Sequence, residues 1–212
     1  MKLRIILHSN DSFERVFFNE SVDLQIVQEA DSFVKIHLLN FSSATNHVTV
    51  EHRGTGCRTE IYGLAFLHGD DSVTTETHVH HVVGGGTSEQ LIKFVLDDQS
   101  HGSFIGDLKI APDAQKVEAH QTNRNILLSE DAEMRTRPQL EIYADDVQAT
   151  HGASTGQLDE SALFYMQQRG IGKEKARQLL VNAFMMDVLD KLPTTKDERL
   201  TSLLDAIDGV VQ

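Results

Sequence analysis

Val117-Glu118-Ala119-His120-Gln121-Thr122-Asn123-Arg124-Asn125-Ile126-Leu127-Leu128 reads as a strand with amides at alternate positions, Gln121, Asn123 and Asn125. Alternate residues of a strand share a face, so the three amides form one polar stripe. In stacked parallel coils such a stripe joins hydrogen-bonded ladders running from coil to coil, as in a β-solenoid. On an exposed sheet edge the same stripe is simply solvated, and this run alone leaves both readings open.

Upstream of it, strand-like runs rich in Val, Ile, Phe, Thr and Tyr recur about every ten to twelve residues. They are Lys2–His8, Arg15–Asn19, Val22–Gln28, Phe33–Leu39, His47–Glu51, Thr59–Leu67, Val73–Val83, Leu91–Leu96 and Ser103–Ile110, and Gln139–Val147 follows downstream. Such spacing suits a sandwich, a barrel or a solenoid. Near residue 155 the period becomes helical. Asp159–Arg169 predicts a short helix stopped by Gly170, and a second helix starts at Gly172 or Lys173. Ala176, Leu179, Leu180, Ala183, Phe184 and Val188 supply its apolar face, and Pro193 its end. Thr195 and Glu198 form a capping-box pair before a final helix. The expected organisation is a β body over 1–154 and a helical domain over 155–212.

Composition narrows the function classes. The chain has 212 residues, 40% of them hydrophobic, with 14 glycines besides, which places it among globular proteins rather than disordered ones. No apolar run approaches the roughly 18 residues of a membrane helix, and MKLRIILHSN holds too short an apolar core for a signal peptide. Nineteen basic against 32 acidic residues leave a net charge of −13, which argues against a nucleic-acid backbone or an anionic membrane as partner. The single cysteine, Cys57, excludes an internal disulfide framework and an all-cysteine metal site built by one chain. The expectation is a soluble, cytoplasmic, acidic protein.

Several catalytic patterns fail on context. Gly152-Ala153-Ser154-Thr155-Gly156 matches a nucleophile elbow, but His151 is the last histidine, so no later base follows, and the reading here is a flexible turn leaving the β body. Gly84-Gly85-Gly86 and Gly170-Ile171-Gly172-Lys173 do not complete a P-loop and read as a turn and as helix punctuation. His78-Val79-His80 puts two imidazoles on one strand face, a candidate metal pair of cupin-barrel type. Its third ligand would come from Glu76, His101 or His120. Asp145-Asp146 reads as a strand end and turn, since adjacent carboxylates on a strand face opposite ways.

Arg137-Pro-Gln-Leu-Glu-Ile-Tyr-Ala-Asp-Asp-Val-Gln-Ala-Thr-His151-Gly-Ala-Ser-Thr-Gly-Gln-Leu-Asp-Glu160 resembles the signature of the SufB/SufD family of iron–sulfur cluster assembly, on its SufD side. Gln115-Lys116, Gln121–Ser129 and Ser88–Asp97 fit the same pattern upstream, as do Leu163–Ile171 and Ala176–Phe184 downstream. The resemblance is strong from about Ile61 to Phe184 and thin before residue 50. It implies a right-handed parallel β-helix followed by a small C-terminal α-helical domain, and a non-catalytic scaffold subunit rather than an enzyme. It implies SufB-like and SufC-like partners, with the ABC-type ATPase docking on the helices, where Leu163, Phe164, Phe184, Met185 and Met186 are the candidate contacts. The family's interface histidine falls on His151. No cofactor is expected on the isolated chain, only iron or an iron–sulfur cluster held transiently at a shared subunit interface. A cysteine that many SufD proteins carry two residues earlier is Ala149 here, so thiolates would come from SufB, and Cys57 reads as a packing residue. Family members carry more β-helix and helical sequence before the matching part. A short β-helix leaves an unpaired strand end, which a homodimer in isolation would cover. The alternatives are the cupin-like enzyme using His78 and His80, and an interaction module that keeps the fold without the cluster role.

Overall fold

The computed structural model describes residues 2–193, so the expected helix after Thr195 lies outside the described residues. The chain divides into two units, Met1–Thr155 and Gly156–Gln212. The first consists of β1 (Lys2–Leu7), β2 (Ser12–Phe18), β3 (Val22–Gln28), β4 (Phe33–Asn40), β5 (Ala44–His52), β6 (Arg58–Leu67), β7 (Ser72–His81), β8 (Thr87–Leu96), β9 (His101–Ile110), β10 (Val117–Leu127), β11 (Glu133–Ile142) and β12 (Val147–Gly156). Odd-numbered strands form one six-stranded sheet in the order β1-β3-β5-β7-β9-β11, and even-numbered strands form the other, ordered β12-β10-β8-β6-β4-β2. The chain thus alternates between two sheets and stacks each strand on the one laid down a coil earlier, a parallel β-solenoid. The coil lengthens along the molecule, from 21 residues between Lys2 and its neighbour Asp23 to 32 between His101 and Glu133.

Parallel pairing in register places like positions above one another. Ile26, Val50, Val79 and Leu108 make one apolar column through the odd sheet, all at most 1% exposed. Each such side chain contributes about 1.5–3 kcal/mol on burial. Side chains of β5, β7 and β9 alternate strictly between buried and more accessible. β6 and the second half of β8 are buried at successive positions, which explains why their apolar runs do not alternate in the sequence. Several corners between strands turn on residues with positive φ that are asparagine or aspartate, including Asn10, Asn19, Asp31 and Asp98, types that tolerate the left-handed region.

Two sequence expectations need correction here. Gln139–Val147 is not one strand: β11 ends at Ile142, and a separate strand, β12, begins at Val147. Gly152–Gly156 accordingly lies within β12 and is not a turn. The amide stripe is also decided. Gln121, Asn123 and Asn125 are 1%, 1% and 3% exposed, so they face the interior and not solvent.

The second unit, within the described residues, has α1 (Glu160–Gln168) and α2 (Lys173–Leu189). Asp159 caps α1, its Oδ1 accepting from the backbone N–H of Ser161 at 2.8 Å. Gly170, with φ +84°, turns the chain out of α1, and Gly172 is the N-cap of α2. α2 ends at Leu189, short of Pro193. Its buried residues are Ala176, Gln178, Val181, Met185, Val188 and Leu189, a stripe rotated from the expected one, and Leu179 is exposed.

One buried polar corner has a thermodynamic signature. His52 and His81, adjacent in register on β5 and β7, stand edge to face with ring centroids 4.3 Å apart. His52 Nε2 meets Thr59 Oγ1 at 2.8 Å and His81 Nε2 meets Ser88 Oγ at 2.9 Å, while both Nδ1 atoms lack a partner among the described residues. Gly86 packs so closely over them that a β-carbon there would lie 2.9 Å from His52 Nδ1. Burial lowers both basicities, that of His52 well below the usual 6.5 and that of His81 to about 4, with the neighbouring histidines adding to the effect. The unfolded chain therefore binds protons that the folded one refuses as pH falls from 6.5 toward 4. Stability should be fully present above pH 6.5 and decline through that window, by on the order of 3 kcal/mol for His81. Denaturant titrations across it should show this slope, and a His52→Gln/His81→Gln variant should flatten it. An unchanged slope in the variant would assign acid sensitivity elsewhere.

Candidate functional site at the terminal coil

β11 and β12 are the outermost strands of their sheets at the C-terminal end of the solenoid. Most of their residues are exposed, unlike those of β9 and β10 beneath. Edge strands present unpaired backbone N–H and C=O groups, and here both sheets do so at one end. The turn into β12 is fixed by Gln115 and Lys116: Gln115 Oε1 accepts from the Asp146 N–H at 2.8 Å, and the Lys116 N–H donates to the Asp146 carbonyl at 2.6 Å. Asp145 and Asp146 thus belong to a turn.

His151 lies in the middle of β12 and is exposed. His120 Nδ1 meets Thr150 Oγ1 at 2.8 Å, and Asn125 Nδ2 donates to Thr155 Oγ1 at 3.1 Å. Both contacts join residues 30 apart, which puts His151 in register with Gln121. Strand alternation then places His151 on the side of β12 that Val147 and Ala149 turn toward the core. Position 149 shares that side, so a cysteine there would stand next to the imidazole, and alanine offers only packing. Neutral imidazole nitrogen is a competent ligand for Fe(II) and shares sites with thiolate.

The other singled-out residues fall elsewhere. His78 and His80 are together on the outer face of β7, but His78 pairs with Asp107 at 3.4 Å, and His80 is in register with Glu51 and Lys109. That pairing continues a series of cross-strand contacts between basic and acidic side chains on the same face, such as Lys2–Asp23 at 3.0 Å and His47–Glu76 at 2.9 Å. Glu76 is thereby engaged by His47, His101 is in register with Ser72 and Glu133, and His120 belongs to the other sheet. No group of three or more His, Cys, Asp or Glu able to hold a metal occurs among the described residues. The barrel on which the cupin reading depended is replaced by two stacked parallel sheets. Cys57 is 1% exposed, its thiol 3.1 Å from the Glu29 carbonyl and 3.2 Å from that of Gly54, as a packing residue requires.

Of the helical candidates, Phe164 and Met186 are 62% and 41% exposed. Among the same candidate contacts, Phe184 is half-buried, and Leu163 and Met185 are buried. Tyr165, not singled out in the sequence, is exposed beside Phe164, with Arg169 over its ring.

No helix among the described residues is long and apolar enough to cross a membrane. A model of the SUF-system iron–sulfur cluster assembly SufBD core domain matches residues 12–184. The iron–sulfur cluster assembly protein SufD of Escherichia coli is 33% identical over 178 residues, covering 84% of this chain and 41% of the relative. SufD of Bacillus subtilis is 32% identical over 157 residues, covering 74% of this chain and 36% of the relative. An iron–sulfur cluster assembly SufBD family protein of Synechocystis is 35% identical over 136 residues, 64% of this chain and 30% of the relative. The chain therefore spans about two fifths of the length of these two SufD relatives. With a core-domain match that runs from β2 into α2, this chain belongs to the SufB/SufD family and is most like SufD.

Proposed function

We propose that this chain is a non-catalytic subunit of iron–sulfur cluster assembly that works at an interface it shares with a SufB-like partner. The observation that carries the reading is the terminal coil: two exposed edge strands, with His151 in the middle of one. Free strand edges bind other strands through backbone hydrogen bonds, so the partner adds to β11 and β12 and brings its own side chains over His151. His151 supplies a neutral nitrogen to iron or to a nascent cluster, the cargo of the reaction, and the partner supplies thiolate. Cys57, sealed in the core, cannot serve. The helical unit is the docking surface for a SufC-like ATPase, through Phe164, Tyr165 and Met186, whose exposed apolar and aromatic area suits a partner surface.

Co-purification with SufB and SufC followed by iron and acid-labile sulfide analysis tests the whole reading. The purified chain alone is expected to show neither ATP turnover nor a stoichiometric cluster, since it offers neither a P-loop nor an accessible thiolate. ATPase activity that persists through further purification would overturn this.

His151→Ala should leave the melt within about 0.5 kcal/mol of the parent, because the side chain is exposed, yet slow cluster formation in the reconstituted complex by about tenfold or more. Normal assembly by a folded variant would remove His151 from the site. Met186→Glu should weaken SufC binding with an unchanged melting curve, whereas Met185→Glu, at a buried position, should lower the melt. Unaltered SufC affinity in Met186→Glu would move the docking surface elsewhere.

A further inference from the structure

The interior of the solenoid changes character along its length. In the even sheet one inward column reads Ile36, Ile61, Gln90, Gln121, strand by strand toward the C-terminal end, and His151 continues it. A facing column in the odd sheet reads Leu24, Val48, Thr77, Gly106, Pro138. Beyond Arg15, which stacks on Ile36 at the N-terminal edge of the first column, apolar residues fill both columns, and hydrogen-bonding or minimal residues succeed them at the same level. Gly106 has a specific reason: a β-carbon there would collide with the Gln121 side-chain amide, which therefore reaches across the interior to the opposite wall.

Thr77, Gln90 and Gln121 are 0%, 1% and 1% exposed. Thr77 Oγ1 and both amide atoms of Gln90 and of Gln121 have no hydrogen-bond partner among the described residues. Isolated lapses of this kind are uncommon, and each costs about 1–3 kcal/mol when nothing satisfies the group. Here five such atoms are gathered where Gln90 stacks on Gln121 and Thr77 on Gly106. The neighbouring amides behave otherwise. Asn123 and Asn125 bond each other reciprocally at 2.8–3.0 Å and reach the Ile92 and Ser154 carbonyls. A concentration of unmet donors and acceptors beside a fully bonded network marks a site for a ligand.

The chemistry of the lining specifies that ligand. It must both donate and accept, because the amides offer N–H and C=O together and the hydroxyl offers either. It must be neutral, because Thr77, Gln90, Gln121, Gly106, Ile61 and Val48 carry no charge. It must be small, because the Gln121 amide already fills the space that a β-carbon on Gly106 would need. We propose that Thr77, Gln90 and Gln121 hold buried water inside the solenoid, between the layer of Ile61 and Val48 and the terminal coil that carries His151. Two to four polar partners per molecule are what a buried water requires, and this lining supplies them. The site stands without the cluster-assembly reading. If that reading holds, the coil presented to the partner has a hydrated interior end.

Water-selective NOE and ROE spectra of the full chain, isotope-labelled at glutamine side chains, test this directly. The side-chain amides of Gln90 and Gln121 should show cross-peaks to long-lived water, while those of Asn123 and Asn125 should show none or weaker ones. Gln121→Leu should abolish the water contacts of Gln121's neighbour Gln90, or reduce them severalfold, and Thr77→Val, nearly isosteric, should reduce them with the fold intact. Absence of water cross-peaks at both glutamines in the parent protein would overturn the proposal and leave a dry amide ladder. So would cross-peaks at Gln90 that persist unchanged in a folded Gln121→Leu or Thr77→Val protein. Should Gln121→Leu fail to fold, the parent spectra and Thr77→Val decide. None of these readouts depends on cluster formation, so a normal His151→Ala complex would sink the functional reading and leave the water site untouched.

Discussion

In-register parallel pairing is the constraint from which the rest of this molecule follows. Each strand bonds only to the strands one coil before and one coil after it, and the chain must travel through the opposite sheet to reach that position. A residue's environment is therefore decided mainly by its equivalents in neighbouring coils. Val50 is secure because Ile26 and Val79 flank it, and the same rule stacks His81 on His52 and Gln121 on Gln90. Substituting one member of a column perturbs a local layer, whereas shifting a strand by one residue would turn every inward side chain outward. Corners absorb the growing coil length, leaving the columns aligned.

The same rule explains how much was legible in the sequence. Most strands were readable because Asn, Asp, Gly or Ser clusters separate them, and Val22–Gln28 was located to the residue. β12 was not, because Ala149, Gly152, Ala153, Ser154 and Gly156 carry little β preference; pairing with β10, and not local propensity, makes it a strand. The face of α2 was misread for a related reason. Leu179 and Val181 have similar hydrophobicity, and only tertiary packing determines that the second is covered. His151 was singled out through family resemblance, since one exposed histidine among 11 carries no signal by itself. The buried His52–His81 pair was missed: its members are 29 residues apart, and the coil length that joins them is not written in either local segment.

Physical chemistry also bears on why the chemistry-bearing residue stands at the end of the solenoid. Within the stack, an outward side chain such as His78 is met by its cross-strand neighbours, and the contacts that result leave it committed to the protein's own surface. An inward side chain is enclosed. The terminal coil offers positions that belong to the inward columns and are nonetheless uncovered, and His151 occupies one of them. Its neighbours in the column change accordingly, from Ile36 and Ile61 to Gln90 and Gln121. An apolar layer in that last position would expose hydrophobic surface whenever the coil lacks a partner, inviting unspecific association. Amides tolerate both water and a docked strand, so the end remains compatible with solvent before assembly and with a protein interface afterwards.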